Sequence, residues 1–488
     1  MSEHRVSDDA SNQDSNPEPS DDLVTTDHIL NTPSGELRYR ATSGRVVLKE
    51  EGFEGETYLG NKAKAEMFIT SYIVESADPQ KRPITFAFNG GPGSSSVWLH
   101  LGLLGPRRVV MGDADSPLPP PWGLADNAET ILAQTDLVFI DPVTTGYSRV
   151  VEGGKTAEYH GFQRDLESVG ALIRLLTTRY GRWLSPKFLA GESYGTLRAS
   201  ALADHLQTRY GWFANGIILI SSVIDMGTIR FTEGNDQPTA LYLPTYAALA
   251  HYHGLHGDRS LDEVRAEAET LAERDYPWAL ARGSRLSEAE RQEIIRKVAS
   301  VTGLKEDYVR RVDLRIEHQR FFREILRERG QIIGRLDGRF LGYDPTDGDD
   351  KPTYDPSNIA IHGPYSAAFN HYVREELNYE SDLPYEILTN RVQPWSYAEF
   401  EGRAVSISSM LGEAMRHNPK LRVHVACGFY DGATPYYAAE HAFAHLQIPD
   451  HLRDNIEMCY YPAGHMMYVH EPSRQRQCAD LASFISRN

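Results

Sequence analysis

The chain has 488 residues, 41% of them hydrophobic and 24% charged, with 68 acidic side chains against 50 Lys and Arg and a formal net charge of −18. That balance argues against nucleic acid or an anionic membrane surface as a partner, since both call for a basic face. Three cysteines, Cys427, Cys459 and Cys478, are too few and odd in number for a disulfide scaffold. Between Met1 and Asp22 seven acids face one base, Arg5, with no apolar core segment, so this stretch reads as a disordered tail (residues 1–30) rather than a secretory signal. No run reaches the roughly 18 apolar residues of a membrane helix, and the expectation is a soluble cytoplasmic protein.

Order is expected from about Leu37. Arg38–Leu48, Glu66–Glu75 and Pro83–Phe88 are rich in β-branched and aromatic residues and read as strands, the first two as an antiparallel pair. Further on, apolar runs at Asp136–Ile140, Lys187–Ala190, Gly216–Ser222, Leu421–Cys427 and Ile456–Tyr461 alternate with helical stretches such as Gly161–Tyr180 and Thr196–Tyr210. This alternation predicts an α/β fold with a mostly parallel sheet flanked by helices. Between the strand runs lie charged amphipathic helices, with capping boxes starting at Ser260 and Ser287. Residues 226–395 are therefore expected to form a helical cap inserted between two parts of one core, 31–225 and 396–488. An independent helical domain is the alternative.

Gly191-Glu192-Ser193-Tyr194-Gly195 matches G-x-S-x-G. Between a strand and a helix that pattern makes a tight turn that lifts the serine hydroxyl from the carboxyl edge of a sheet. Alone it is weak, and a structural turn without chemistry is the alternative; the strand before it and the helix after it strengthen the match. A serine nucleophile needs a base, and the base an orienting acid. In α/β hydrolases these follow in the order Ser, acid, His. Asp431 and His465 each follow a predicted strand, where open α/β sheets gather their sites. His441 and His470 are rivals, but fall in expected helices.

Asn89-Gly90-Gly91-Pro92-Gly93-Ser94-Ser95-Ser96 follows another strand. Phosphate binding is disfavoured, because the P-loop Lys is absent and Ser96 stands at the last glycine of a G-x-G-x-x-G reading. An oxyanion hole fits better, with the backbone N–H groups of Gly91 and Tyr194 as donors. The acids Asp344, Asp347, Asp349 and Asp350 do not match a calcium loop and read as a solvated loop.

Five blocks now stand in order: N-G-G-P-G-S-S-S at 89–96, F-I-D-P-V-T-T-G-Y-S at 139–148, G-E-S-Y-G at 191–195, the Asp431 segment and G-H-M at 464–466. Together they resemble the serine carboxypeptidase family. The resemblance implies an α/β-hydrolase fold with a cap insertion and a triad of Ser193, Asp431 and His465. It also implies that Asn89 and Glu192, with Gly90 in the same loop, bind a substrate's free C-terminal carboxylate. It calls for no metal and no cofactor, and for a peptide or small acyl substrate. The oligomeric state is left open, a homodimer included. The sequence departs from the family at Leu103, where a second Glu is usual, at Ala87 in place of Trp, and at Ser94 and Thr434 in place of Cys. These departures support triad chemistry more firmly than strict carboxypeptidase specificity, so an esterase or acyltransferase on the same fold is the rival expectation.

Overall fold

The computed structural model describes residues 18–75 and 77–487; most of the expected acidic tail lies outside the described residues. Its sheet contains β1 (Asp22–Thr32), β2 (Gly35–Glu54), β3 (Thr57–Val74), β4 (Ile84–Phe88), β5 (Asp136–Ile140), β6 (Lys187–Glu192), β7 (Gly216–Ile220), β8 (Arg422–Gly428) and β9 (Ile456–Tyr461). The two-residue strand Arg149–Val150 adds to β3. The spatial order is β1-β2-β3-β5-β4-β6-β7-β8-β9. Pairing is antiparallel from β1 to β5 and parallel from β5 through β9. This is the mostly parallel α/β sheet read from the sequence.

Strands β4, β5 and β7 are buried at every residue. Helices cover both faces of the sheet, so these strands read as unbroken apolar runs instead of alternating. The principal helices are α1 (Phe162–Arg179), α2 (Tyr194–Tyr210), α3 (Leu243–Tyr252), α4 (Leu261–Glu273), α5 (Glu288–Thr302), α6 (Pro356–Glu375) and α7 (Glu471–Ser486). On one face Phe86, Leu189 and Ile217 pack with Leu166 of α1 and Leu197 of α2. On the other, Phe139, Phe188 and Ile218 pack with Phe369 of α6 and Phe484 of α7.

Helices α3 to α6 lie in the chain between β7 and β8. Both capping boxes form, Ser260 with Glu263 at α4 and Ser287 with Glu290 at α5. The insertion shares the core of the sheet. Val264 of α4 and Val298 of α5 belong to the first cluster, while α6 crosses to the second.

Two expectations need correction. Residues 22–30, assigned to a disordered tail, belong to β1, which pairs along its length with β2. Asp21 accepts from the Val47 N–H and pairs with Arg179, and Asp22 pairs with Arg45. Surface ion pairs contribute little each, so the backbone ladder and the burial of Leu30 carry the order. The acidic loop is also not wholly solvated. The Asp344 carboxylate is fully buried beside Arg323, which also pairs with Asp347. Among the described residues no cluster of three or more His, Cys, Asp or Glu is arranged to hold a metal ion.

Between α1 and α2 lies a buried ion pair. Arg198 Nε donates to Asp165 Oδ2 at 2.7 Å and Arg198 Nη1 to the carbonyl of Asn89 at 2.6 Å, with the guanidinium 5.3 Å from the ring centroids of both Phe88 and Tyr194. Burial raises the Asp165 pKa, and Arg198 only partly opposes it. Arg198→Met would leave that carboxylate buried and unpaired, and should cost about 3–5 kcal/mol at neutral pH. A group whose folded pKa lies above its unfolded value weakens the fold only where the unfolded state is ionised, so the deficit should shrink as pH falls towards about 4. Urea unfolding of both proteins at several pH values measures this; a deficit independent of pH would contradict it.

Candidate active site

Strands β4 and β6 are parallel neighbours, so the loops leaving them emerge together at one edge of the sheet. Ser193 follows β6 with φ +59° and ψ −130°, a left-handed backbone that an ordinary residue adopts only under constraint. The glycines around it are required by close contact. A Cβ on Gly191 would lie 2.1 Å from the Gly195 carbonyl oxygen. A Cβ on Gly90 would lie 2.4 Å from the Tyr194 nitrogen, so the glycine-rich loop rests directly on the elbow. Tyr194 opens α2, where the first amides have no intrahelical acceptor, and the Gly91 N–H donates to no backbone carbonyl among the described residues. The two amides named as oxyanion donors are thus both available, at one edge.

His465 follows β9 and Asp431 follows β8, as their place in the sequence suggested. His465 Nδ1 lies 2.8 Å from Asp431 Oδ2. The Asp431 carboxylate is fully buried and also accepts from the N–H groups of Ala433 and Thr434 and from the Thr434 hydroxyl at 2.7 Å. Burial disfavours a charged His465 ring, but the charge and hydrogen bond of Asp431, with Glu192 behind them, outweigh it and raise the histidine pKa. Ser193 and His465 line one cavity of about 510 Å³, with Asn89, Gly91, Glu192 and Tyr194. The rivals stand elsewhere. His441 contacts Gln237 and His445, and His470 precedes α7, bonded to Ser473.

Glu192 is buried beneath this cavity. Its Oε1 accepts from Asn89 Nδ2 at 2.9 Å and its Oε2 from the Tyr468 hydroxyl at 2.6 Å. Burial pushes its pKa up to about 7. The charge of His465 and the hydrogen bonds from Tyr468 and Asn89 oppose the rise, and Asp431 adds to it. Asn89 Oδ1 accepts from the Leu99 N–H, so the amide steadies its own turn as well as holding Glu192. Leu103 is fully buried nearby; the adjoining Gly102 packs against the Tyr468 ring, where a Cβ would meet it at 2.2 Å. Tyr468 is the residue the sequence reading missed. Its signal was a tyrosine three positions after His465 on a short 3₁₀ turn, Met467–Val469, which brings it back under the site.

A second missed feature comes from the insertion. Between α5 and α6, Leu336 accepts from the His465 N–H at 2.6 Å and Arg335 accepts from the Gly432 N–H at 3.0 Å. The segment is wedged between the loops that carry the acid and the histidine. Tyr397 lines the cavity, while Trp395 packs edge-on to Tyr194. Met466 also lines it, and Met467 is core. The three cysteines are free.

The sheet order and its flanking helices define the α/β-hydrolase fold. The profile of the serine carboxypeptidase family matches residues 50–455, and the chain belongs to that family. It is 26% identical over 161 residues to carboxypeptidase Y homolog A of Blastomyces gilchristii (strain SLH14081), covering 33% of this chain and 27% of that one. To carboxypeptidase Y of Komagataella phaffii (strain GS115 / ATCC 20864) it is 26% identical over 176 residues, 36% and 31% of the two chains. These alignments span about a third of the relatives' length. Kex1(delta)p, a prohormone-processing carboxypeptidase from Saccharomyces cerevisiae, superposes with a TM-score of 0.53 at 15% identity over 91% of both chains, a likeness of fold.

The hydrogen bond from Tyr468 favours the ionised form of Glu192, so its removal should raise that carboxyl's pKa further. Infrared difference titration, with Glu192→Gln to identify the carboxyl band, should place the wild-type midpoint near 7 and that of Tyr468→Phe higher. A midpoint that stays put or falls would contradict this arrangement.

Proposed function

We propose that the chain is a serine carboxypeptidase that removes residues from the C-terminal end of peptides through an acyl-enzyme. Ser193 attacks the scissile carbonyl while His465 takes its proton and then delivers it to the leaving amine. Asp431 orients the imidazole and balances its charge. The Gly91 and Tyr194 amides hold the oxygen on which negative charge develops. Water, activated by His465, then releases the acyl group and regenerates the serine.

The observation that carries the exopeptidase reading is the buried Asn89–Glu192 pair lining the Ser193 cavity, backed by the Tyr468 hydroxyl. A carboxylate beside a substrate carboxylate repels it, whereas a carboxylic acid donates to it. Protonated Glu192 keeps both accepted hydrogen bonds and gains an O–H to donate. The Asn89 amide uses one of its two N–H donors on Glu192 and has the other for the same ligand. Tyr468 also supplies a polar partner that the loss of the second Glu at Leu103 would otherwise remove.

The test compares a blocked dipeptide with a free C-terminus, its C-terminal amide and a simple acyl ester. The free acid should be cleaved in strong preference to the amide, and Ser193→Ala should lose at least about a thousandfold in kcat on all of them. Equal cleavage of acid and amide would remove carboxylate recognition, and failure of a fluorophosphonate to label Ser193 would remove the hydrolase mechanism.

A pH signature follows from the same groups. Activity needs His465 neutral and, for a free-acid peptide, Glu192 protonated. The kcat/KM for free-acid peptides should therefore fall as pH rises through about 7, while ester hydrolysis should show no such limb. Glu192→Gln should abolish the fall. A free-acid profile that keeps rising above neutrality would contradict the role of Glu192.

A further inference from the structure

The cavity that holds Ser193 is lined by two arginines as well as by Glu192 and Asp355. Arg230 and Arg335 both line it. Arg335 is half-buried and its backbone is pinned on both sides, the N–H donating to Asp355 Oδ1 at 3.0 Å and the carbonyl accepting from Gly432. Its guanidinium is close enough to His465 to oppose that ring's protonation. Arg230 lies 5.1 Å over the ring of Tyr397, another lining residue. Among the described residues neither guanidinium has a carboxylate at ion-pair distance.

The acids nearby are already engaged. Asp355 Oδ1 accepts from the N–H groups of Arg335, Ser357 and Asn358, and Oδ2 from that of Leu336. Asp431 is held by His465 and Thr434. Glu192 has its own two donors. A half-buried arginine has lost part of its hydration, and its planar fork matches a carboxylate in two parallel hydrogen bonds. With the terminal carboxylate assigned to Asn89 and Glu192, two cationic groups in the same cavity have no anion of their own.

We propose that Arg335, aided by Arg230, selects substrates with an acidic side chain next to the scissile bond, Glu or Asp, so that the preferred substrates are acidic C-terminal peptides. The peptide part of this rests on the carboxypeptidase reading; the preference for an acidic acyl group does not, and esters test it separately. Blocked peptides with Glu, Gln or Lys on either side of the scissile bond are compared with acyl esters of blocked Glu and Gln. Wild type should favour Glu over Gln by about tenfold or more in kcat/KM at one of the two positions, the scale of a hydrogen bond to a charged group. Arg335→Gln should bring that ratio close to one, and Arg335→Glu should place Lys ahead of Glu. Because each ratio is taken within one variant, loss of folded protein cancels.

Equal rates for Glu and Gln in wild type would overturn the proposal, as would a ratio that survives in the double variant Arg230→Gln, Arg335→Gln. So would an Arg335→Gln variant that weakens every free-acid peptide alike and spares the esters, since the arginine would then serve the terminal carboxylate. If peptides resist cleavage while esters show the acidic preference, the carboxypeptidase reading fails and the acidic specificity stands.

Discussion

Everything in the site depends on two backbones touching. The loop after β4 lies against the turn after β6 so closely that a methyl group at Gly90 has no room. This contact places the Gly91 amide near that of Tyr194, and it exists because β4 and β6 are parallel neighbours whose carboxyl ends open on the same edge. The strain at Ser193 is sustained by its surroundings. Its N–H donates to the carbonyl of Ile220 at the end of β7, and Thr196 closes the turn by donating to the Ser193 carbonyl. Beneath, Arg198 grips the Asn89 carbonyl from the helix that the elbow begins. The glycine-rich loop is thus held from above by the turn and from below by a buried charge.

Four buried carboxyl groups around this edge show how environment divides one chemistry into several tasks. Asp431 has three donors besides His465 and holds the ring of that histidine. Asp165 faces a single arginine and supports the loop. Asp141 is pushed up to about 6 by burial, against the Ser96 N–H and hydroxyl that bind its Oδ1, and it ties β5 to the glycine-rich loop. Glu192, with two neutral donors and a nearby anion in Asp431, is the one that changes charge near neutrality. For Asp165, Asp141 and Glu192 burial raises the pKa and the donors around each oppose the rise.

The elements that meet at the cavity were legible because they are local. The elbow, the glycine-rich loop and the acid and histidine after strand ends each announce themselves within a few residues, and the two capping boxes did so for α4 and α5. What escaped notice depends on partners far away in the chain. Strand β1 was hidden by the acidic composition of its surroundings, although Leu23-Val24-Thr25-Thr26 carries a strand signal; its order comes from the backbone ladder with β2 and the burial of Leu30. Tyr468 acts on a residue 276 positions earlier. Arg335 sits in a segment with no periodicity and gains its place only from contacts with Gly432, Asp355 and the neighbouring turn. Local pattern located residues that the fold gathers at one sheet edge, and long-range contacts determined what surrounds them.

The stitch between Leu336 and His465 bears on how anything enters. An insertion that could swing away would leave the histidine undisturbed, but here the main chain of the histidine is shared between the insertion, through Leu336, and the core, through the Ser221 hydroxyl. Lifting that part of the roof would pull on the loop after β9 that carries His465. The entrance is therefore better regarded as a doorway in a fixed wall than as a hinged cover. The wall of the cavity is tied to the sheet through the loop after β9 and does not move apart from it.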